Sequence, residues 1–291
     1  MQTIGFIGLG IMGKPMAGHL LRAGYKMQVY NRTQSKADEL VENGATRAMT
    51  PAEAAKGADV VITIVSDTPQ VEEVLFGDDG VAETIQAGSI VVDMTTMNAT
   101  AIREFANRLQ QQDVALLDAP VSGGDIGAIN ATLSIMVGGE QMVYDRVKPL
   151  FDVMGSRSNL IGPIGSGQIT KSCNQILVGT ALMGVCEALL LAEKNGLNLH
   201  KVVDAVAGGA AQSFQLEKLG PLIVEEDYKP GFMIDLIVKD LHIVQDVAKA
   251  SGLSLETTNL LTEYFENRQG KGDGALGTPA LMKEHRIRAV N

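Results

Sequence analysis

The sequence predicts an α/β domain built on a doubly wound parallel sheet, then an all-helical domain, the two joined by a long helix. Three observations carry that prediction. A glycine turn, Gly8-Leu9-Gly10-Ile11-Met12-Gly13, lies between an apolar run and an amphipathic stretch. Strand and helix patterns alternate up to about residue 161, and from Gly165 onward long apolar periods near 3.6 replace the strands. The expected domains are 1–163 and 164–291, with the linking helix at about 166–194 and the junction at Gly162-Pro163-Ile164-Gly165-Ser166-Gly167.

Each element has a local reason. Ile4-Gly5-Phe6-Ile7 reads as the first strand, and 16–23 as the helix that follows the glycines. In that order the turn is the dinucleotide-binding fingerprint of a Rossmann-type domain. Gly8 permits the tight turn, Gly10 lets backbone approach a pyrophosphate, and Gly13 lets helix pack on strand. Leu9, Ile11 and Met12 complete the loop, whose N–H groups face the positive end of the helix dipole. Further strands are expected at 27–30, 60–65, 90–93, 115–118 and 133–137, with helices at 51–56, 70–75, 99–111 and 141–151. The second half reads as helices at 168–194, 199–207, 233–250 and 255–266.

The end of the second strand addresses the cofactor. A dinucleotide fold reads the adenine ribose there, and this chain places Asn31-Arg32-Thr33 at that point. A carboxylate would bind the ribose hydroxyls of NAD and repel the extra phosphate of NADP. A guanidinium pairs with that phosphate by charge-assisted hydrogen bonds. Asn31, Arg32 and Thr33 therefore favour NADP(H) and leave NAD(H) open.

Composition narrows the class. The 291-residue chain is long enough for two domains, and its net charge of −10 with no Lys/Arg cluster argues against nucleic acid. The first strand begins by Thr3, which leaves no room for a removable leader, and a cytoplasmic enzyme is expected. Cys173 and Cys186 fall in one expected helix, about 20 Å apart, beyond disulfide reach. No Cys/His cluster has metal spacing, so a metal-free mechanism is expected. Residues 176–192 are almost wholly apolar but short for a membrane span, and they contain Glu187. A helix apolar all round in this setting is a buried core helix, with Gly179, Ala181, Gly184 and Ala188 suited to close packing.

Chemistry is expected at the carboxyl ends of the strands. In Asp93-Met94-Thr95-Thr96 the Thr96 hydroxyl is placed to meet a nicotinamide ribose. In Asp118-Ala119-Pro120-Val121-Ser122-Gly123-Gly124 the serine hydroxyl and glycine N–H groups form a nest for a small carboxylate. Lys171 and Asn174 lie three apart, and so on one face, at the start of the linking helix. Hydride reduction of a carbonyl leaves an oxyanion that needs a proton. Lys171 is the expected donor, because the helix N-terminus and an apolar setting both disfavour its ammonium form.

With these residues laid out, the chain resembles the β-hydroxyacid dehydrogenase family over essentially its whole length. The resemblance rests on Gly5-Phe6-Ile7-Gly8-Leu9-Gly10-Ile11-Met12-Gly13, on Asp118 to Gly124, on Gly165-Ser166-Gly167 followed by Lys171-Ser172-Cys173-Asn174-Gln175, and on Lys239-Asp240-Leu241. It implies a helical domain used in oligomerisation, as a homodimer or homotetramer, and a small carboxylate substrate. It also implies that Lys171 is the general acid/base, that Ser122, Gly123 and Gly124 hold the carboxylate, and that Asn174 hydrogen-bonds substrate. Lys239 would reach the cofactor, with Asp240 and Phe232 lining the same cleft.

Departures from the family pattern matter too. The third strand ends Val65-Ser66-Asp67 where the family often has Leu-Pro, so the cofactor contact at Val65 differs. Ala131-Thr132-Leu133 replaces a common Gly-Thr-Leu. Asn174-Gln175, instead of two asparagines, sides with the tartronate semialdehyde reductases of the family, as does Arg32. The expected activity is NAD(P)H-dependent reduction of a short 3-oxo acid, first tartronate semialdehyde to glycerate, with 3-hydroxyisobutyrate, glyoxylate and succinic semialdehyde as alternatives. The rival classes are a non-catalytic dinucleotide-binding module, an imine reductase, which typically lacks the lysine, and a decarboxylating sugar-phosphate enzyme, which would carry a longer chain and more basic residues.

Overall fold

A computed structural model describes residues 2–289 of the chain. The expected domain ends at 1 and 291 lie outside the described residues. The chain divides into two compact units, one up to Lys171 and one from Ser172, so the division falls within the helix Ser166–Lys194.

The first unit is a nine-stranded sheet: β1 (Thr3–Ile7), β2 (Lys26–Tyr30), β3 (Thr46–Arg47), β4 (Val60–Thr63), β5 (Ile90–Asp93), β6 (Ala115–Asp118), β7 (Val121–Ser122), β8 (Leu133–Gly138) and β9 (Gly155–Gly162). Strands β3-β2-β1-β4-β5-β6 run parallel in that spatial order, which is the doubly wound order of a dinucleotide-binding sheet. β8 then joins antiparallel to β6, and carries β7 antiparallel and β9 parallel.

Alternation along the strands feeds two cores, one on each face. Ile4, Phe6, Val60, Ile62, Ile90 and Val92 meet Met16 and Leu20 of the helix Gly13–Arg22 and Leu150 of Gln141–Met154. On the other face Val61, Val91 and Leu116 meet Leu75 of Thr68–Phe76 and Ile102 and Phe105 of Ala99–Gln110. Asp67 and Asn98 start those two helices by accepting the N–H groups of Gln70, and of Thr100 and Ala101.

The strands at 90–93 and 115–118 are as expected. β4 ends two residues earlier than its apolar run, because the Val65 N–H turns to the Thr95 hydroxyl instead of a ladder. The periodicity gave no sign of β3, β7 or β9.

The second unit contains the rest of Ser166–Lys194 with helices Leu199–Ala207, Gly220–Val224, Ile234–Ala250, Glu256–Arg268 and Leu281–Arg288. Its core gathers Leu182, Cys186, Leu189, Ile237, Leu241 and Phe265. By length and composition alone Ser166–Lys194 could cross a membrane. The expectation of a helix buried all round needs correction: Leu182, Cys186 and Leu189 are buried, while Leu177 and Leu191 are exposed, at 69% and 68%. Gly179 has Leu261 against it, but Gly184 and Ala188 are exposed, because the helices of this unit cover only one side.

Candidate active site

The glycine loop leaves β1 directly for its helix. Gly8 has φ +101°, and a Cβ there would sit 2.1 Å from the Ile64 carbonyl oxygen. A Cβ on Gly13 would sit 1.9 Å from the Gly8 oxygen, so the fold itself demands both glycines. Gly10 differs: a Cβ there would meet nothing within 4 Å. Among the described residues the N–H groups of Gly10, Ile11 and Met12 have no hydrogen-bond acceptor. Open space above Gly10 and free N–H groups at a helix N-terminus fit a dinucleotide pyrophosphate.

Asn31, at the end of β2, is already engaged: its Oδ1 accepts the Leu9 N–H at 2.8 Å and its Nδ2 donates to the Thr33 carbonyl at 3.0 Å. It braces the glycine loop. Arg32 and Thr33 are exposed, and the Arg32 guanidinium donates to Gln70 Oε1 at 3.3 Å, so it is held beside the β4 loop and open to an anion.

A single register row crosses the carboxyl edge of the sheet: Thr63 on β4, Asp93 on β5, Asp118 on β6 and Gly138 on β8. Asp93 and Asp118 are both fully buried. Asp93 Oδ1 accepts the Thr63 hydroxyl at 2.7 Å, while Oδ2 has no partner among the described residues. Burial pushes its carboxyl up to about 7, only partly offset by hydrogen bonds from Thr63 and Thr95. Burial also raises Asp118, opposed by the backbone N–H groups it accepts.

Those N–H groups begin the long helix. Asp118 Oδ1 accepts from Gly165 at 2.7 Å and Oδ2 from Gln168 at 2.8 Å, the positions a capping residue would serve locally. The Gln168 side chain is itself buried. Its Oε1 accepts the Met97 N–H at 3.0 Å and its Nε2 donates to the Thr95 carbonyl at 2.8 Å. One turn on, Lys171 is 8% exposed and its ammonium donates to the Val121 carbonyl at 2.9 Å.

Val121 begins the expected carboxylate loop. Ser122, half-buried, pairs with Ser134 on β8, and Gly123 and Gly124 follow with φ of 134° and 65°, turning the chain into the helix Gly124–Ile129. The first unit thus brings Lys171 to the Val121–Gly124 segment. Val65 is tied to Thr95, next to Thr96, which is half-buried.

The second unit holds a separate chain of polar contacts. Asn174 Nδ2 donates to Gln175 Oε1 at 2.8 Å, Gln175 Nε2 donates to Asp240 Oδ2 at 2.6 Å, and Lys239 Nζ lies 2.9 Å from Asp240 Oδ1. Asp240 is thereby a buried carboxylate with both a cation and an amide on it. Phe232 stands outside this chain: it packs on the core of the unit, and its carbonyl accepts the Thr278 N–H. Sequence reasoning singled out Lys171 and Asn174 from the residues and Lys239 and Asp240 from the family resemblance, named Asp93, Thr95 and Gln175 only as parts of motifs, and passed over Gln168. No local pattern marks Gln168, which stands among Gly165-Ser166-Gly167 and Thr170-Lys171.

Residues 3–163 match the family described as the NAD binding domain of 6-phosphogluconate dehydrogenase. Residues 165–284 match the family described as NAD-binding of NADP-dependent 3-hydroxyisobutyrate dehydrogenase. The chain is 42% identical over 282 residues to the 2-hydroxy-3-oxopropionate reductase of Escherichia coli, covering 97% of this chain and 96% of that one. It is 38% identical over 272 residues to the NAD-dependent L-serine dehydrogenase of Pseudomonas aeruginosa, covering 91% of each. The crystal structure of a 3-hydroxyisobutyrate dehydrogenase from Salmonella typhimurium matches with TM-score 0.90 at 31% identity, covering 97% of this chain and 99% of that one.

Two predictions follow from the unit that carries the glycine loop. Gly10→Ala will leave the melting temperature of the ligand-free protein unchanged but raise the NADPH Kd at least tenfold, whereas Gly13→Ala will lower the melting temperature; equal thermal effects would contradict the assignment. The Asp93 value in the folded chain lies above its ordinary 3.8, so the folded state keeps a proton that the unfolded chain releases. Its contribution to stability is complete below about pH 4 and falls as pH rises to about 7. In urea titrations at several pH values the native chain should lose up to roughly 4 kcal/mol relative to Asp93→Asn between pH 4 and 8. A difference that does not vary with pH would refute it.

Proposed function

The chain belongs to the β-hydroxyacid dehydrogenase family and is an oxidoreductase acting on CH–OH groups, and from that premise we propose that it reduces 2-hydroxy-3-oxopropionate (tartronate semialdehyde) to glycerate with NADPH. The observation that carries this reading is the buried Lys171 ammonium, 2.9 Å from the Val121 carbonyl at the head of the Ser122-Gly123-Gly124 turn. A proton donor is thereby held beside a loop suited to a carboxylate, at the carboxyl edge of a dinucleotide-binding sheet.

The substrates named for the relatives support a short acid. 2-Hydroxy-3-oxopropionate, 3-hydroxyisobutyrate and L-serine each carry a carboxylate and an oxygen on the carbon β to it. In this chain the Ser122 hydroxyl and the Gly123 and Gly124 N–H groups take the carboxylate and so fix where the β carbon lies. When bound, NADPH would supply the hydride and be released as NADP+. Lys171 gives its proton to the carbonyl oxygen as that oxygen gains negative charge, and in the oxidative direction takes it back. Hydride and proton together convert the aldehyde to the alcohol, with no group left over.

The remaining residues take supporting roles in the same proposal. Gly8 to Gly13 hold the pyrophosphate, Arg32 and Thr33 take the ribose phosphate of NADP, and Asn31 steadies the loop between them. Thr96 and Val65 lie toward the nicotinamide ribose. Asn174 hydrogen-bonds substrate, Lys239 contacts the cofactor, and Asp240 and Phe232 support them. The exposed Leu177 and Leu191 support a homodimer or homotetramer. The two free cysteines suit a reducing, cytoplasmic setting.

The test is the oxidation of NADPH and of NADH by tartronate semialdehyde, methylmalonate semialdehyde, succinic semialdehyde and glyoxylate. Tartronate semialdehyde with NADPH should give the highest kcat/KM, Lys171→Ala should lower kcat at least 100-fold, and Arg32→Glu should raise the KM of NADPH at least tenfold while sparing NADH. A higher kcat/KM for another acid would reassign the substrate. Full turnover by Lys171→Ala would remove the lysine from the chemistry.

A further inference from the structure

Gln168 is more deeply buried than any other polar side chain in the turns around Lys171, at 1% exposure, and no part of the reaction above uses it. Both ends of its amide are spent on backbone: Oε1 on the Met97 N–H and Nε2 on the Thr95 carbonyl. Its own N–H is held by Asp118. The residue therefore joins three segments: the turn after β5, the end of β6, and the helix turn that presents Lys171 three positions on, on the same face.

The close approach of these segments is built in. A Cβ on Gly167 would lie 2.4 Å from the Met136 oxygen and 2.7 Å from the Asp118 oxygen, so helix backbone rests directly on the sheet edge. Asp118 fixes where the helix starts, and Gly167 against the sheet edge limits how the first turn can rotate about its axis. The Gln168 amide, anchored at two points 3.0 and 2.8 Å away, adds two constraints on that rotation from the turn after β5. The direction in which Lys171 leaves the helix follows.

We infer that Gln168 is a positioning residue for the proton transfer, restraining the rotation of the first helical turns so that the Lys171 ammonium stands at a fixed place at the Val121 carbonyl. The inference rests on the proposed role of Lys171. It assigns Gln168 no contact with substrate or cofactor.

The amide can be tested by its own chemistry. A glutamate at 168 keeps the acceptor for Met97 but, when ionised, turns an acceptor toward the Thr95 carbonyl. When protonated, it offers one O–H and one oxygen and restores both bonds. Burial and the neighbouring carboxylates Asp118 and Asp93 raise such a glutamate, while the cations nearby are Lys171 and Arg103, whose Nε donates to the Ile164 carbonyl. Protonation of that glutamate is therefore moved up from the ordinary carboxylate range toward the pH of the assays.

The experiment measures kcat, KM and NADPH Kd for the native chain, Gln168→Leu, Gln168→Glu and Lys171→Ala, between pH 5.5 and 8.5, with the acid of highest kcat/KM. Gln168→Leu should lower kcat at least 30-fold with the NADPH Kd within threefold of native. The ratio of Gln168→Glu to native kcat should climb at least tenfold as pH falls, following one proton. If Gln168→Leu fails to fold, the glutamate ratio decides alone: a climb supports the inference and a flat ratio overturns it. A folded Gln168→Leu with kcat within threefold of native also overturns it. Loss of turnover in Lys171→Ala with normal turnover in both Gln168 variants would sink this inference and leave the lysine reading standing. Normal turnover in Lys171→Ala would sink the lysine reading and this inference with it.

Discussion

The Asp118 carboxylate sits where a strand ends and a helix begins, and the geometry of the first unit depends on it. It accepts the N–H groups of Gly165 and Gln168, so the helix Ser166–Lys194 is capped by a side chain some fifty positions upstream instead of by its own leading residues. Burying a carboxylate is costly unless its lone pairs are used, and the N–H groups at a helix start are the cheapest donors a fold can offer. Sequence follows the constraint. Gly138, its register partner on β8, lacks a Cβ that would otherwise stand 2.3 Å from Asp118 Oδ1, and Gly167 lets the helix backbone touch the sheet edge. Once the helix start is fixed there, Lys171 comes to the Val121 carbonyl with little freedom left.

Function then emerges from where the strands end. A doubly wound sheet places its loops at one edge, and this chain distributes distinct tasks among neighbouring loops. The β1 loop offers bare N–H groups and empty space at Gly10. The β2 loop offers an exposed Arg32, with Asn31 spent on bracing. The loops after β5 and β6 hold Lys171 and the serine-glycine turn together, through hydrogen bonds that are nearly all to backbone. The pair Asp93 and Asp118 adds a cost at neutral pH, since burial disfavours charge on both. The fold carries that cost at the carboxyl edge of its sheet.

Much of this was legible in the sequence. The strands β1, β5, β6 and β8 are mostly apolar runs flanked by turn residues, with Ser134 the polar residue within β8 and Asp93 and Asp118 closing β5 and β6, and the glycine loop reads directly as a strand-to-helix turn. β9 was not legible, because Gly155–Gly162 is an edge strand whose polar residues face outward and whose partner sets its conformation. β3 and β7 are two residues each, too short to show any period. The turns at Gln215–Leu219 and Gln269–Asp273 are wider than an α-helix and break the 3.6 repeat. At the site, Lys171 stood out as a charge in an apolar helix. Gln168 and Asp93 did not, since their partners are backbone groups and hydroxyls of strands and turns far away in the chain, and nothing local announces them. The long helix misled in one respect: apolar composition all round implied burial all round, whereas Leu177 and Leu191 are exposed.

The most direct test of the central claim, that a single buried amine moves the proton, is chemical rescue. Single-turnover oxidation of NADPH by the semialdehyde would be followed in Lys171→Ala with ammonium, methylamine and ethylamine added. The rate should rise linearly with amine concentration and vary with amine acidity, while the untreated variant stays at least 100-fold slow. An untreated variant that turns over within tenfold of the native chain, at a rate indifferent to added amine, would contradict the account.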